Sequence, residues 1–251
     1  MSTQAICRFL YILSLSVLGM PGLMPVLAQT DTAAATGEQE AEPERKKHIA
    51  GHQLMLGVDI LQPVVNNMVK NRRTFEGEVS YYYKNEYYLV AEAGWGGSDV
   101  AYTDLQYTTT NSFARLGFNK SILYRESPRD WDMMFIGLRA AAANIGRSAA
   151  AYTVTDSVWG NITGFSPEKS FTAVWAEITT GIRVELVKGL MAGWNIRGKF
   201  LMNGKSFKDL APLHIAGFGK GDKNANFDFN LYLSYAIRWN RKTEPAETTK
   251  K

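Results

Sequence analysis

A single cysteine, Cys7, occurs in the 251 residues, and only three histidines, His48, His52 and His214. Little is therefore available for thiol chemistry, disulfides or a metal centre. Charge of one sign is also scarce: 28 Lys and Arg against 24 Asp and Glu leave a net charge of +4. No dense basic patch with interleaved aromatics appears, which argues against a dedicated nucleic-acid binder. Between residues 50 and 239 no run of 18 apolar residues occurs, so that stretch offers no transmembrane helix. With 45% hydrophobic and 21% charged residues, the chain as a whole is nevertheless one that folds.

The N-terminus has an export pattern. Arg8 precedes an apolar run from Phe9 to Leu18, broken only by Ser14 and Ser16, and Val26-Leu27-Ala28 follows. This order of charged, apolar and small residues predicts a signal peptide over 1–28, cleaved before Gln29 and taking Cys7 with it. Residues 29–47 carry no large apolar side chain; they cannot offset their ordering entropy and predict a disordered tether over 29–49. The tail, 240–251, has the same character. The folded unit is predicted at 50–239.

Within it the chain alternates with period two. Phe227, Phe229, Leu231, Leu233, Tyr235, Ile237 and Trp239 share one parity, while Asp228, Asn230, Ser234 and Arg238 share the other with Tyr232 and Ala236. Seven successive large apolar residues on one face specify a strand. The same reading, applied to segments beginning near Gln53, Phe75, Tyr87, Leu116, Met134, Val174 and Trp194, yields eight strands in all. Lys120 alone breaks the apolar face of the fourth.

Short turns are predicted at Lys84-Asn85-Glu86, Glu126 to Asp130 and Val187-Lys188-Gly189, and long connections at about 62–73, 97–110, 145–169 and 203–225. Long and short connections alternate, as they do when an up-and-down meander keeps all long loops at one end. A hairpin with Gly189 in the left-handed region sets Leu186 opposite Leu190 and Glu177 opposite Lys199. Centring the first turn on Asn85 pairs Val79 with Ala91 and Phe75 with Trp95, and places Glu78 against Glu92. Two like charges so placed need an arginine beside them.

Three features turn the apolar face outward. The polar face carries Asp59, Glu76, Glu78, Glu92, Glu177, Glu185 and Asp228 against Arg115, Arg139, Arg183, Arg197, Lys199 and Arg238, near-cancelling charges that predict an enclosed ion-pair network. Aromatic residues gather near strand ends: Tyr81, Tyr83, Tyr87, Trp95, Trp194, Tyr235 and Trp239, with Tyr82, Tyr88 and Trp131 among them. Such rings suit the two water-lipid boundaries of an aromatic girdle. The segments are also long enough for tilted strands to cross a bilayer. Leu54, Leu56, Val58, Val79, Leu89, Leu116, Ile136, Ile178, Ile182, Ile196, Leu231, Leu233 and Ile237 would then face lipid. The competing reading is a soluble, lipocalin-like ligand-binding barrel, whose interior these large side chains would overfill.

Signal, alternating segments, turn order and an aromatic-rich last strand resemble the small eight-stranded outer-membrane barrels of OmpA and OmpX architecture, and barrel families of unknown function in that membrane. The resemblance covers residues 50–239 and implies an all-β, eight-stranded antiparallel transmembrane barrel in a bacterial outer membrane. It further implies termini in the periplasm, outer-membrane lipid and the barrel-assembly machinery as partners, and four loops facing outward. Trp239 occupies the position of the terminal aromatic of such barrels, although twelve residues follow it.

Candidate chemistry is sparse. His48 and His52 are too poorly disposed at a strand start to form a metal pair. His214, with Ser206 and Asp209, has no spacing that specifies a hydrolase, and is expected to be exposed. Gly217-Phe218-Gly219-Lys220-Gly221 lacks phosphate-loop spacing and reads as a flexible loop; Asn161-Ile162-Thr163 agrees with an exposed one. No catalytic residue, cofactor or metal is assigned. The expected role is structural, or surface binding and adhesion through loops 145–169 and 203–225. A small-solute channel or an outer-membrane lipid-modifying enzyme is the alternative.

Overall fold

The two short hairpins set the register of the whole wall. In the computed structural model, which describes residues 51–69, 71–123, 130–158, 160–204 and 211–239, β2 (Arg72–Lys84) meets β3 (Tyr87–Ala101) across Asn85-Glu86. Both turn residues have positive φ, 51° and 63°, the conformation whose twist matches a tight hairpin. Val79 pairs with Ala91, Phe75 with Trp95 and Glu78 with Glu92, as the parity argument requires. At the other short turn, β8 (Lys169–Val187) meets β9 (Leu190–Leu201) with Gly189 at φ 87°. Glu177 does oppose Lys199, but a bulge between Glu185 and Val187 brings Val187, not Leu186, opposite Leu190. The bulge absorbs one residue so that a tight turn and the inner register coexist. Beside it, Val184 is buried despite its apolar-face parity.

The remaining barrel strands are β1 (His52–Asp59), β4 (Leu105–Ser121), β5 (Met133–Arg147) and β10 (Ala225–Trp239). Each pairs antiparallel with its neighbour, β5 with β8, and β1 closes the cylinder on β10. Closure leaves the cylinder wall itself without a free edge strand, the condition a lipid-exposed sheet must meet. The expected signal peptide 1–28, tether 29–49 and tail 240–251 lie outside the described residues, as do His48, Ser206, Asp209 and most of the turn expected at Glu126 to Asp130.

The long-loop end departs from expectation. The connection expected at 97–110 is almost all strand, since β3 and β4 continue pairing as far as Ala101 and Gln106; inward Ser98, Val100, Tyr107 and Thr109 extend the alternation. Residues 145–169 hold a further hairpin, β6 (Ala150–Asp156) and β7 (Gly160–Ser166), joined to the start of β4 through Leu105 and Gln106. A short helix, α1 (Leu61–Met68), occupies the first long connection. It starts where Asp59 Oδ1 accepts hydrogen bonds from the backbone N–H of Leu61 and Gln62, at 2.8 and 3.4 Å, satisfying donors that a helix start leaves orphaned.

Apolar residues of one parity face outward, among them Leu56, Val58, Val79, Leu89, Leu116, Ile136, Ile178, Ile196, Leu233 and Ile237, with Leu54, Ile182 and Leu231 half-covered by neighbours. Tyr83, Tyr87, Trp95, Tyr235 and Trp239 are exposed on that face, and Tyr81 and Trp194 are half-buried. Lys120 lies at the turn end, with its ammonium over the Tyr87 ring. Tyr82, Tyr88 and Trp131 do not belong to the girdle. They point inward and pack with Met55, Met133, Phe135, Met191 and Ala236 into an apolar floor at the turn end, the rings stacking edge to face.

Candidate functional site

The inward face places its charges between two apolar layers. Above the floor, Glu92 on β3 accepts from three guanidinium groups: Arg115 Nη1 at 2.6 Å, Arg139 Nε at 2.7 Å and Arg197 Nη1 at 2.7 Å. Arg115 also meets Glu76 at 2.7 Å and Glu177 at 2.9 Å, and Arg197 meets Glu76 at 3.0 Å. Glu76, Glu92 and Glu177 thus balance Arg115, Arg139 and Arg197. Removing such charges from water costs several kcal/mol per ion, and this reciprocal pairing offsets most of that cost.

Two side chains complete the carboxylate shells. The Tyr232 hydroxyl donates to Glu76 and accepts from Arg197 Nη2 at 2.7 Å, and Trp175 Nε1 donates to Glu177 at 2.6 Å. Parity put both on the inward face, but nothing in the spacing marked them as partners of the acids. Arg139 is the least satisfied member: its Nη1 and Nη2 have no hydrogen-bond partner among the described residues.

The other expected members of the network are separate. Arg183 pairs with Glu78 at 2.6 Å. Lys199 and Asp228 pair at 2.7 Å toward the long loops, and Arg238 and Glu185 at 2.7 Å near the turns; Asp228, Glu185 and Arg238 are only half-buried. Asp59 belongs to no ion pair among the described residues. Its carboxylate accepts from Asn230 Nδ2 at 2.5 Å as well as from α1.

Part of the last long loop closes the top, where an outward-facing flexible loop was expected. Ile215, Ala216 and Phe218 are buried within the barrel against Phe113, Ile145 and Trp175. Inward Ala141, Ala143 and Ala173 leave the room they occupy, and burying one phenylalanine there contributes roughly 1.5–3 kcal/mol. Gly217 makes the fold-in possible: its φ is 80°, and a Cβ would lie 2.7 Å from the Phe113 ring. Its carbonyl accepts from Arg115 Nη2 at 2.8 Å and Lys199 Nζ at 2.6 Å, tying the plug to the charges below.

His214 enters with the plug and is buried, not exposed. Its Nε2 lies 3.1 Å from Thr74 Oγ1. Burial, then the nearby Arg72 and Lys199, push the imidazole down to about 4, with Asp228 opposing. Between about 6.5 and about 4 the unfolded chain therefore binds more protons than the folded one, so stability is lost as pH falls through that window. Thermal midpoints in detergent at pH 7 and 4.5 should fall further for the wild type than for His214→Gln; equal falls would show that His214 is not responsible.

His52 stacks between Tyr81 and Trp239 and meets the Tyr81 hydroxyl at 2.7 Å, a packing role. Asn161 and Thr163 are exposed on β7. Among the described residues no cluster of potential ligands could hold a metal ion, and no helix is long and apolar enough to cross a membrane, which says nothing of strands.

No curated protein matches the chain in sequence. Among solved structures, it is similar to Ail, the attachment invasion locus protein of Yersinia pestis, at 8% identity, covering 75% of this chain and 99% of that one, with a TM-score of 0.40. A major outer membrane protein from Thermus thermophilus gives 8% identity, 76% and 100% coverage and a TM-score of 0.41. Neisserial surface protein A gives 11%, 75% and 96%, and 0.36. Likeness at these values carries nothing about activity. The family described as "Domain of unknown function (DUF6048)" matches residues 8–242, nearly the whole sequence, and the chain belongs to that family.

Proposed function

We propose that the protein is an integral barrel of a bacterial outer membrane, exported by its N-terminal signal and inserted by the barrel-assembly machinery. In this reading its lumen is closed and its work is structural, or surface binding at the long-loop end. The observation that carries the reading is the polarity of the wall: Leu116, Ile136 and Ile178 are exposed while Arg115, Arg183 and Glu177 are buried. A soluble lipocalin-like barrel has the opposite arrangement, since burial of apolar area drives its folding in water. In lipid, apolar residues belong outside and ions belong in the lumen.

The plug redistributes the expected binding surface. Residues 214–218 are buried, so contacts with a partner fall to the β6–β7 hairpin and the projecting ends of β3 and β4. The apolar floor, ionic layer and plug fill the lumen in succession, which favours a closed barrel over a solute channel. Heat-modifiable gel mobility tests the reading: the purified mature chain in detergent should migrate faster unheated than boiled. A chain that is monomeric and well folded without detergent would overturn it.

A further inference from the structure

We propose that a cavity between the plug and the barrel wall binds a small phosphate-bearing anion. The cavity holds about 210 Å³ and is lined by Arg72, Thr74, Lys199, His214, Lys220 and Asp228, among others. That volume is below the range of drug-sized pockets and suits a compact group.

Charge selects the class. Of the two acids on the wall, Glu76 is already neutralised by Arg115 and Arg197, and Asp228 by Lys199. Arg72 and Lys220 line the cavity and form no ion pair among the described residues. Two uncompensated cations match a phosphate dianion better than a single carboxylate, and Arg72 offers a planar donor fork suited to phosphate oxygens. The Thr74 hydroxyl and the His214 ring hydrogen-bond each other at 3.1 Å, which leaves one neutral donor between the pair on the same wall. Neither Arg72 nor Lys220 pairs with the central network of Glu76, Glu92 and Glu177, so the cavity adjoins that network through Glu76 and brings cations of its own.

His214 reports on occupancy. The groups acting on it are Arg72, Lys199 and Asp228, with Glu76 also on the cavity wall, and a bound anion would oppose the two cations. Ring resonances of the histidines in the full mature chain, folded in zwitterionic detergent, should be followed while inorganic phosphate is added at constant ionic strength against chloride. A parallel arm adds short-chain phosphatidic acid. A saturable change at His214 that leaves His52 unmoved supports the site. Response to inorganic phosphate identifies a soluble phosphate ligand, and response to phosphatidic acid alone identifies a lipid headgroup. Arg72→Gln should weaken the response at least about tenfold, the loss of one charge-assisted contact, with Lys220→Gln as a second variant on an exposed side chain. Heat-modifiable mobility verifies that each variant is folded. No saturable change in either arm, or undiminished binding in both folded variants, overturns the proposal.

Discussion

Replacing Glu92 by Gln is expected to destabilise the barrel by about 3–5 kcal/mol, the range for breaking a buried ion pair by removing one partner. The penalty is unevenly shared. Arg115 retains Glu76 and Glu177, and Arg197 retains Glu76 with Glu177 at 3.8 Å. Arg139 retains no carboxylate among the described residues: its one ion pair is with Glu92, and its two Nη atoms already lack partners. The cost is therefore chiefly that of one uncompensated guanidinium in a sealed layer. Urea unfolding of the reconstituted barrel should show the loss, and a double variant with Arg139→Gln should recover a substantial part of it. Glu185→Gln is the contrast. Its pair with Arg238 is partly open to water, so its removal should cost under about 1 kcal/mol. Equal effects of Glu92→Gln and Glu185→Gln, or no recovery in the double variant, would contradict the sealed layer.

The sequence made the wall readable and the contents of the lumen only partly so. Period-two parity survives any twist or tilt, so Arg115, Arg183 and Glu177 on one face, and Leu116 and Ile178 on the other, follow from spacing alone. Inner register followed at the Asn85 turn and, away from the bulge that displaced Leu186 from Leu190, at the Gly189 turn, because short turns leave few ways to connect two strands. What spacing does not encode is where a loop goes once it leaves the sheet. Phe218 reads as a lone aromatic in a glycine-rich connection, and its burial depends on Gly217 taking a positive φ beside Phe113. The signal for its receptor was present as Ala141 and Ala143, inward residues too small to fill the lumen, and Ile215, Ala216 and Phe218 take that space.

Aromatic residues misled for a related reason. A ring near a turn suits a membrane boundary, but parity already set Tyr82 and Tyr88 apart from Tyr81, Tyr83 and Tyr87. Where the two rules disagreed, parity prevailed, because reversing one side chain in a paired strand means breaking its register. Asp59 fell outside the ion pairs because β1 ends there, and its carboxylate serves the first N–H groups of α1 instead.

Leu116→Arg should cost about 2–4 kcal/mol in a bilayer, the penalty for a cation at the lipid-facing midplane of a barrel. Leu116 is 67% exposed and lies midway along β4 between Ser112, paired with Trp95, and Lys120, paired with Tyr87. The aromatic rings at those two levels mark the edges of the apolar band, so an arginine at 116 has the longest path to water on either side. Val154→Arg is the matched control: Val154 is 53% exposed on β6, in the hairpin beyond the cylinder, and the change should stay within about 0.5 kcal/mol. Unfolding midpoints in lipid vesicles should separate the two variants, and folding yield into vesicles should fall for the first alone. If Leu116→Arg is as well tolerated as Val154→Arg, water rather than acyl chains wets this face. The membrane assignment would then fail while the strand pairing stood, because the pairing rests on register and the assignment on which solvent the leucines meet.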